Sequence, residues 1–226
     1  MLPLRDRNPS GIVPWVVYGL IAVNCLAFFI EISLPEEALR EVMNYYGVVP
    51  GRVTDALTGG GNLLGAVLVP AFTSMFLHGG WAHLLGNMWF LYIFGDNVEG
   101  RLGHLSFLLF YIGCGLCATT AQYVLRPHSG IPTIGASGAI AGALGAYAAC
   151  WPRARILTLV PVFFFLHFIE LPAVFVLGMW FLVQFLQGTA SLGVTFAHGG
   201  VAYWAHVGGF LAGLILVKVW PTRRAE

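Results

Sequence analysis

The sequence predicts an all-α, polytopic membrane protein with six transmembrane helices. Of its 226 residues, 58% are hydrophobic and 9% are charged, whereas soluble domains carry about 25% charged residues. The apolar residues fall into long runs with few charges, and a run of about 20 such residues is long enough to cross a bilayer. This composition leaves no room for a second, soluble domain. The absence of a basic tract argues against a nucleic-acid partner.

The apolar runs define one membrane domain, residues 14–220, between short tails at 1–13 and 221–226. We place the six spans at about 14–34, 81–95, 104–125, 137–151, 170–188 and 204–220. The second span is expected to end at Gly95-Asp96-Asn97. Residues 35–69 mix apolar and charged side chains, which predicts interfacial helices broken at Pro50-Gly51 and Gly59-Gly60-Gly61.

Residues 156–169 are the hardest stretch to assign. This stretch is about 14 residues long, too short to cross a membrane alone, and we expect an aromatic-rich surface or re-entrant piece.

Six spans and a cytoplasmic N-terminus satisfy the positive-inside rule. They place eight basic residues inside and three outside: inside Arg5, Arg7, Arg101, Arg153, Arg155, Lys218, Arg223 and Arg224, outside Arg40, Arg52 and Arg126. The short tails favour a bacterial inner membrane.

Two polar residues in the apolar runs are predicted to lie at the same depth. Ser137 precedes Trp151 by 14 residues, and His206 precedes Trp220 by the same number. If both tryptophans mark one membrane surface, each polar residue lies about 21 Å from it, at 1.5 Å per residue. The hydrocarbon core is about 30 Å thick, so the two residues would meet inside the membrane.

Span two adds two further polar residues near this depth. His83 precedes Asp96 by 13 residues, and Asn87 follows one turn later on the same helix face. Small residues then predict that spans four and six pack closely, because they recur at every fourth position. These are Gly138 and Gly142 in span four, and Ala205, Gly209 and Gly213 in span six.

These residue types predict acyl-transfer chemistry. His206 is the candidate base that takes the proton of the Ser137 hydroxyl. The Ser137 backbone N–H, the Asn87 amide and His83 are the candidate donors to an oxyanion. Gly135 leaves the backbone unencumbered beside the nucleophile. Because spans two, four and six contain no Asp or Glu at this depth, we expect a Ser–His pair without a third, acidic member.

Other residues favour structural roles. We expect packing for the four cysteines, and an inner-face ion network for Asp96, Glu99 and Arg101. No cofactor or metal is predicted, and H-E-x-x-H is absent from the sequence. The remaining histidines lie in loops or at span ends, where interfacial solvation is expected: His78, His104, His128, His167 and His198.

At these positions the sequence resembles the rhomboid intramembrane serine proteases. The likeness runs through MLPLRD at the N-terminus, FLHGGWAHLLGN ending at Asn87, GDNVEGRLG beginning at Gly95, GASG around Ser137 and AHVGG around His206. It implies Ser137 as nucleophile, His206 as general base, and His83 and Asn87 as oxyanion partners. It also implies a six-helix bundle with a water-filled site open to the outside. The implied substrates are single-pass membrane proteins, cleaved within or beside their transmembrane segment.

One position departs from the family pattern. Ala141 stands where some members have an aromatic residue that stacks on the catalytic histidine. The alternative function is a non-catalytic relative that binds membrane clients, but such relatives typically lack the serine or the histidine, and this chain has both. A transporter is disfavoured, because the six spans contain no mid-span ion-pairing acids and no internal repeat.

Overall fold

The computed structural model describes residues 1–162, 164–192 and 200–222. Within these ranges, nine α-helices and three β-strands follow one another. The helices are α1 (Trp15–Ser33), α2 (Glu36–Tyr46), α3 (Pro50–Leu57), α4 (Val69–Thr73), α5 (Trp81–Leu102), α6 (His104–Leu125), α7 (Ser137–Cys150), α8 (Ala173–Ser191) and α9 (Tyr203–Val219). The strands are β1 (Leu2–Asp6), β2 (Arg155–Val162) and β3 (Phe165–Pro172). The predicted helical membrane bundle is confirmed.

The longer helices suit a multi-pass membrane protein. Among the described residues, α1, α6 and α8 are each long and apolar enough to cross a bilayer. Residues Leu64–Phe76 and helix α5 meet this criterion together, but they are bent by 80° where they join. Helices α7 and α9 are apolar and shorter. Together with α5 they bring the number of helices with 14 or more residues, within the described ranges, to six.

Helix α5 continues past Gly95-Asp96-Asn97, where the second span is expected to end, to Leu102. The polar side chains that suggested a helix end have partners on the N-terminal strand and on α5 itself. The Asn97 amide donates to Asp6 Oδ2 at 2.9 Å and to Asp96 Oδ1 at 3.0 Å. A helix can continue through such residues because their hydrogen bonds are satisfied within the fold.

Helices α7 and α9 form the centre of the bundle and lie close together, as the small residues predicted. A Cβ atom added at Gly209 would overlap the carbonyl oxygen of Gly138, and one added at Gly213 would overlap that of Gly142. The two backbones are therefore in direct contact. A close approach of this kind requires glycine, because any side chain would separate the helices.

The strands form an antiparallel sheet that the sequence analysis did not predict. Strand β2 lies in the centre, with Leu2 of β1 opposite Leu159 and Phe165 of β3 opposite Val162. Residues 156–162 and 165–169 therefore lie in two paired strands. Of the two predicted alternatives, a surface piece or a re-entrant piece, the paired strands fit the first. The outer strand β3 is exposed, with Phe165 at 71% and Phe168 at 68% of their full accessible surface.

The end of the bundle that carries the sheet also contains a cluster of polar groups. The buried Glu99 carboxylate accepts hydrogen bonds from the Val16 and Val17 amides at 3.0 and 2.8 Å, and pairs with His104 Nδ1 at 2.5 Å. The predicted ion network was wrong, since within the described residues neither Asp96 nor Glu99 pairs with Arg101. His104 likewise has a protein partner that the expected solvation did not include.

Candidate active site

Ser137 and His206 meet at one end of the α7–α9 contact. Ser137 is the first residue of α7, and His206 lies in the first turn of α9. The Ser137 Oγ and His206 Nε2 atoms are 2.8 Å apart, a normal hydrogen-bond length. The predicted proximity of the two residues is confirmed. It follows from the backbone contact between Gly138, one residue further along α7, and Gly209 of α9. The chemical roles of the two residues remain predictions.

Helix α8 supplies two contacts to the imidazole that the sequence analysis missed. The His206 Nδ1 and Gln184 Oε1 atoms are 2.7 Å apart. The Trp180 ring lies beside the imidazole, with centroids 5.8 Å apart and planes inclined by 34°. Ala141 is fully buried in α7, so the aromatic neighbour of His206 comes from α8 instead. The sequence feature that could have indicated these contacts is a tryptophan and a glutamine four residues apart in an apolar run.

On the other side of the serine, two polar side chains approach Gly135. Gly135 has φ +114°, in the region that favours glycine. A Cβ atom there would lie 2.6 Å from His83 Nε2 and 3.6 Å from Asn87 Nδ2. Since His83 Nδ1 accepts the Gly79 N–H at 3.4 Å, Nε2 of the neutral ring carries the proton. Two potential donors thus reach the loop just before Ser137.

His78 is a buried part of this group, and its expected interfacial solvation was wrong. Only 1% of its surface is exposed. The Asn87 amide donates to His78 Nε2 at 3.0 Å, and the His78 backbone N–H donates to Glu31 Oε2 at 3.1 Å. His78 therefore orients Asn87. Among the other histidines, His128 and His167 are exposed as expected, and His198 lies outside the described residues.

The loop at residues 127–136 has irregular backbone, and segment 35–76 holds it in place. The Gly135 N–H donates to the Ser74 carbonyl at 2.8 Å. Val48 and Thr133 exchange two backbone hydrogen bonds, at 3.1 and 2.7 Å, and the Gly51 N–H donates to the Ser129 carbonyl at 2.9 Å. Since these bonds fix the loop that leads into Ser137, the short helices have a structural role at the site.

A cavity of about 520 Å³ lies on the other side of this loop. Its walls come from the end of α1, from α2 and from the two loops beside the site, and they include Phe28, Met43, Trp81, Pro132 and Ile134. The lining is mainly apolar, with the Glu31 carboxyl group among the polar exceptions. The polar residues beside the loop that leads into Ser137 thus lie next to a cavity that could hold apolar groups.

Comparison with known proteins agrees with this arrangement. Residues 66–222 match the family profile described as the Rhomboid domain. Rhomboid-like protein 11, chloroplastic, of Arabidopsis thaliana is 31% identical over 156 residues, covering 64% of this chain and 50% of that protein. The putative rhomboid protease YdcA of Bacillus subtilis is 40% identical over 75 residues, covering 33% and 37%. Rhomboid protein 1, mitochondrial, of Saccharomyces cerevisiae is 30% identical over 206 residues, covering 88% and 51%. The chain thus spans about half the length, or less, of these curated relatives.

Proposed function

Because the chain belongs to the rhomboid family, we propose that it is an intramembrane serine endopeptidase. Its substrates are single-pass membrane proteins, which it cleaves within or beside their transmembrane segment. The observation that carries this proposal is the 2.8 Å contact between Ser137 Oγ and His206 Nε2. A serine hydroxyl becomes a good nucleophile when an adjacent base can accept its proton, and these two atoms have the required geometry.

The proposed reaction has two steps. In the first, Ser137 Oγ attacks the carbonyl carbon of the scissile peptide bond while its proton passes to His206 Nε2. The C–N bond then breaks, the imidazolium gives its proton to the leaving amine, and an acyl-enzyme ester remains. In the second step a water molecule loses a proton to His206 and attacks the ester carbonyl. The proton returns to Ser137 Oγ as the ester bond breaks, and the carboxyl product leaves.

Each step passes through a tetrahedral intermediate that carries an oxyanion. We assign its stabilisation to the His83 Nε2–H, the Asn87 amide and the Ser137 backbone N–H. His83 and Asn87 already point towards Gly135. Ser137 begins α7, and the first amides of a helix have no partners within it. Donors fixed in place before the reaction favour the charged intermediate without further reorganisation.

We also propose that the site faces the outside of the membrane. Arg5 of β1, the adjacent Arg7 and Arg155 of β2 lie together. Asp6 of β1 accepts a hydrogen bond from Tyr147 near the far end of α7, so these cations are at the end of the bundle opposite Ser137, which the positive-inside rule assigns to the cytoplasm. The relatives named above come from a chloroplast, a bacterium and a mitochondrion. The expected bacterial inner membrane therefore gains no support over these other membranes.

The test is cleavage of a candidate single-pass substrate by the purified protein in lipid vesicles. We expect Ser137→Ala and His206→Ala each to lower the cleavage rate by about 10³-fold or more. The matched controls are Ser106→Ala in α6 and His167→Ala on the exposed strand β3, which should retain the wild-type rate. Equal cleavage by all five proteins would refute the assignment.

A second measurement separates the enzyme from a relative that only binds membrane clients. A fluorophosphonate reacts covalently with an activated serine. We expect it to label the wild-type protein and the two control variants, and to leave Ser137→Ala unlabelled. A folded wild-type protein that binds the substrate, does not cleave it and stays unlabelled would support the client-binding alternative.

A further inference from the structure

The proposed base has a hydrogen-bond partner on each of its two ring nitrogens. On one side, Ser137 Oγ lies 2.8 Å from Nε2, and on the other, Gln184 Oε1 lies 2.7 Å from Nδ1. An amide oxygen can only accept a hydrogen bond. The neutral ring must therefore carry its proton on Nδ1, which leaves a lone pair on Nε2. That is the tautomer in which the histidine can take a proton from the serine.

The reverse orientation of the amide would have the opposite effect. With the Gln184 NH₂ group towards Nδ1, the ring would carry its proton on Nε2, and the base would have no lone pair facing Ser137. In this structure the amide oxygen of Gln184, and not its nitrogen, faces His206 Nδ1. The tautomer of His206 thus depends on one side chain of α8.

The same helix also holds the plane of the ring. Trp180 and Gln184 are four residues apart, so they lie on one face of α8. Trp180 lies beside the imidazole with its ring tilted by 34°, and Gln184 contacts the imidazole at Nδ1. Among the described residues, the groups near His206 include Ser137 from α7, these two residues from α8 and the ionisable His83 from α5. An acidic third member is replaced here by a neutral amide.

We propose that Gln184 is a positioning residue for the base, an inference that rests on the proposed function. It accepts the Nδ1–H of His206, fixes the tautomer that accepts the serine proton, and holds the ring in line with Ser137 Oγ. It contributes no negative charge to the imidazolium that forms during the reaction. The Ser–His pair of this protein is therefore completed by an uncharged third side chain.

The test compares four variants of the 226-residue chain in the same vesicles. Gln184→Met keeps the length and much of the packing but removes the acceptor, and Gln184→Glu keeps an acceptor and adds charge. Gln187→Ala is the matched control, because Gln187 lies three residues further along α8 and is exposed. Ser137→Ala shows the rate without the nucleophile. The readouts are kcat, KM, the pH dependence of kcat/KM and the rate of fluorophosphonate labelling.

We expect Gln184→Met to lower kcat and the labelling rate by about 10- to 100-fold, with KM and thermal stability nearly unchanged, because a misoriented base costs roughly this much. Gln184→Glu should retain at least a third of the activity, and the acid limb of its pH profile should move to higher pH, since a carboxylate favours the imidazolium. The ¹⁵N chemical shifts of the His206 ring should show a protonated Nδ1 in the wild type and a mixture of tautomers in Gln184→Met.

Three outcomes would overturn this inference and leave the proposed function intact, and two of them concern the base directly. One is wild-type kcat in Gln184→Met while Ser137→Ala is inactive, and the other is a wild-type ring that is protonated on Nε2. A wild-type protein with no more activity than Ser137→Ala would instead refute the proposed function. A loss of stability in Gln184→Met that matches its loss of rate, with no rescue by Gln184→Glu, would reduce Gln184 to a packing role and so also overturn the inference.

Discussion

The contact between α7 and α9 makes a quantitative prediction for Gly209→Ala. The added methyl group would overlap the Gly138 carbonyl oxygen, so the two backbones would have to separate by about 1 Å before the contact became acceptable. Ser137 is the residue before Gly138 and would move with it. Its 2.8 Å hydrogen bond to His206 would then exceed the range of about 2.5 to 3.0 Å preferred by hydroxyl donors.

Both stability and rate should respond to this separation. Overpacking of a tight contact costs about 1–3 kcal/mol of unfolding free energy. A misplacement of about 1 Å between reacting groups lowers the rate about 10²-fold. Unfolding in mixed detergent micelles measures the first quantity, and the initial rate of substrate cleavage measures the second. The fluorophosphonate labelling rate should fall with the cleavage rate, because both depend on the Ser–His geometry.

The matched control is Gly113→Ala in α6, where an added Cβ atom meets nothing within 4 Å. This substitution should leave the cleavage rate unchanged and stabilise the helix by up to about 1 kcal/mol, since alanine favours helix over glycine. If Gly209→Ala behaves like Gly113→Ala in both assays, close helix contact does not set the position of Ser137, and the reasoning fails.

Two further predictions concern the opposite end of the bundle. Glu99→Ala removes the acceptor of the Val16 and Val17 amides and should lower the unfolding free energy by about 2–5 kcal/mol. The exposed Glu36→Ala should change it by less than about 0.5 kcal/mol, and equal effects in the micelle assay would contradict the role of Glu99. Burial raises the pKa of Asp6, so its contribution to stability is complete below the ordinary aspartate pKa of about 4 and is lost as the pH rises through the raised value. Asp6→Asn should therefore flatten the decline in stability above about pH 4, and the exposed Asp55→Asn should not; a decline that persists in Asp6→Asn would assign it to another group.

The central part of the site could be predicted from the sequence because it follows from regular helix geometry. Equal offsets from Trp151 and Trp220 place Ser137 and His206 at one depth, since each residue of a helix adds a fixed rise. Small residues at every fourth position then indicate which helices touch. Neither inference needs information about side chains far away in the sequence.

The contacts that were missed all depend on partners distant in the sequence. Gln184 is one amide in an apolar helix, and its contact with His206 depends on how α8 is rotated in the bundle. His78 follows a turn and is buried because Glu31 and Asn87, on two other helices, satisfy its polar groups. The β-hairpin was missed because both of its faces are apolar, so the alternation that normally marks a strand is lost. Its third strand lies some 150 residues earlier in the sequence.

The unequal packing of the three helices around His206 has a consequence for control of the proposed activity. Backbone contact holds α7 and α9 against each other, so the separation of the Ser137 and His206 backbones is fixed by the two helices themselves. Helix α8 contacts the same ring through the side chains of Trp180 and Gln184. A sideways displacement of α8, whether from bilayer thickness or from an incoming transmembrane segment, would slow turnover by releasing the ring while leaving the nucleophile in place.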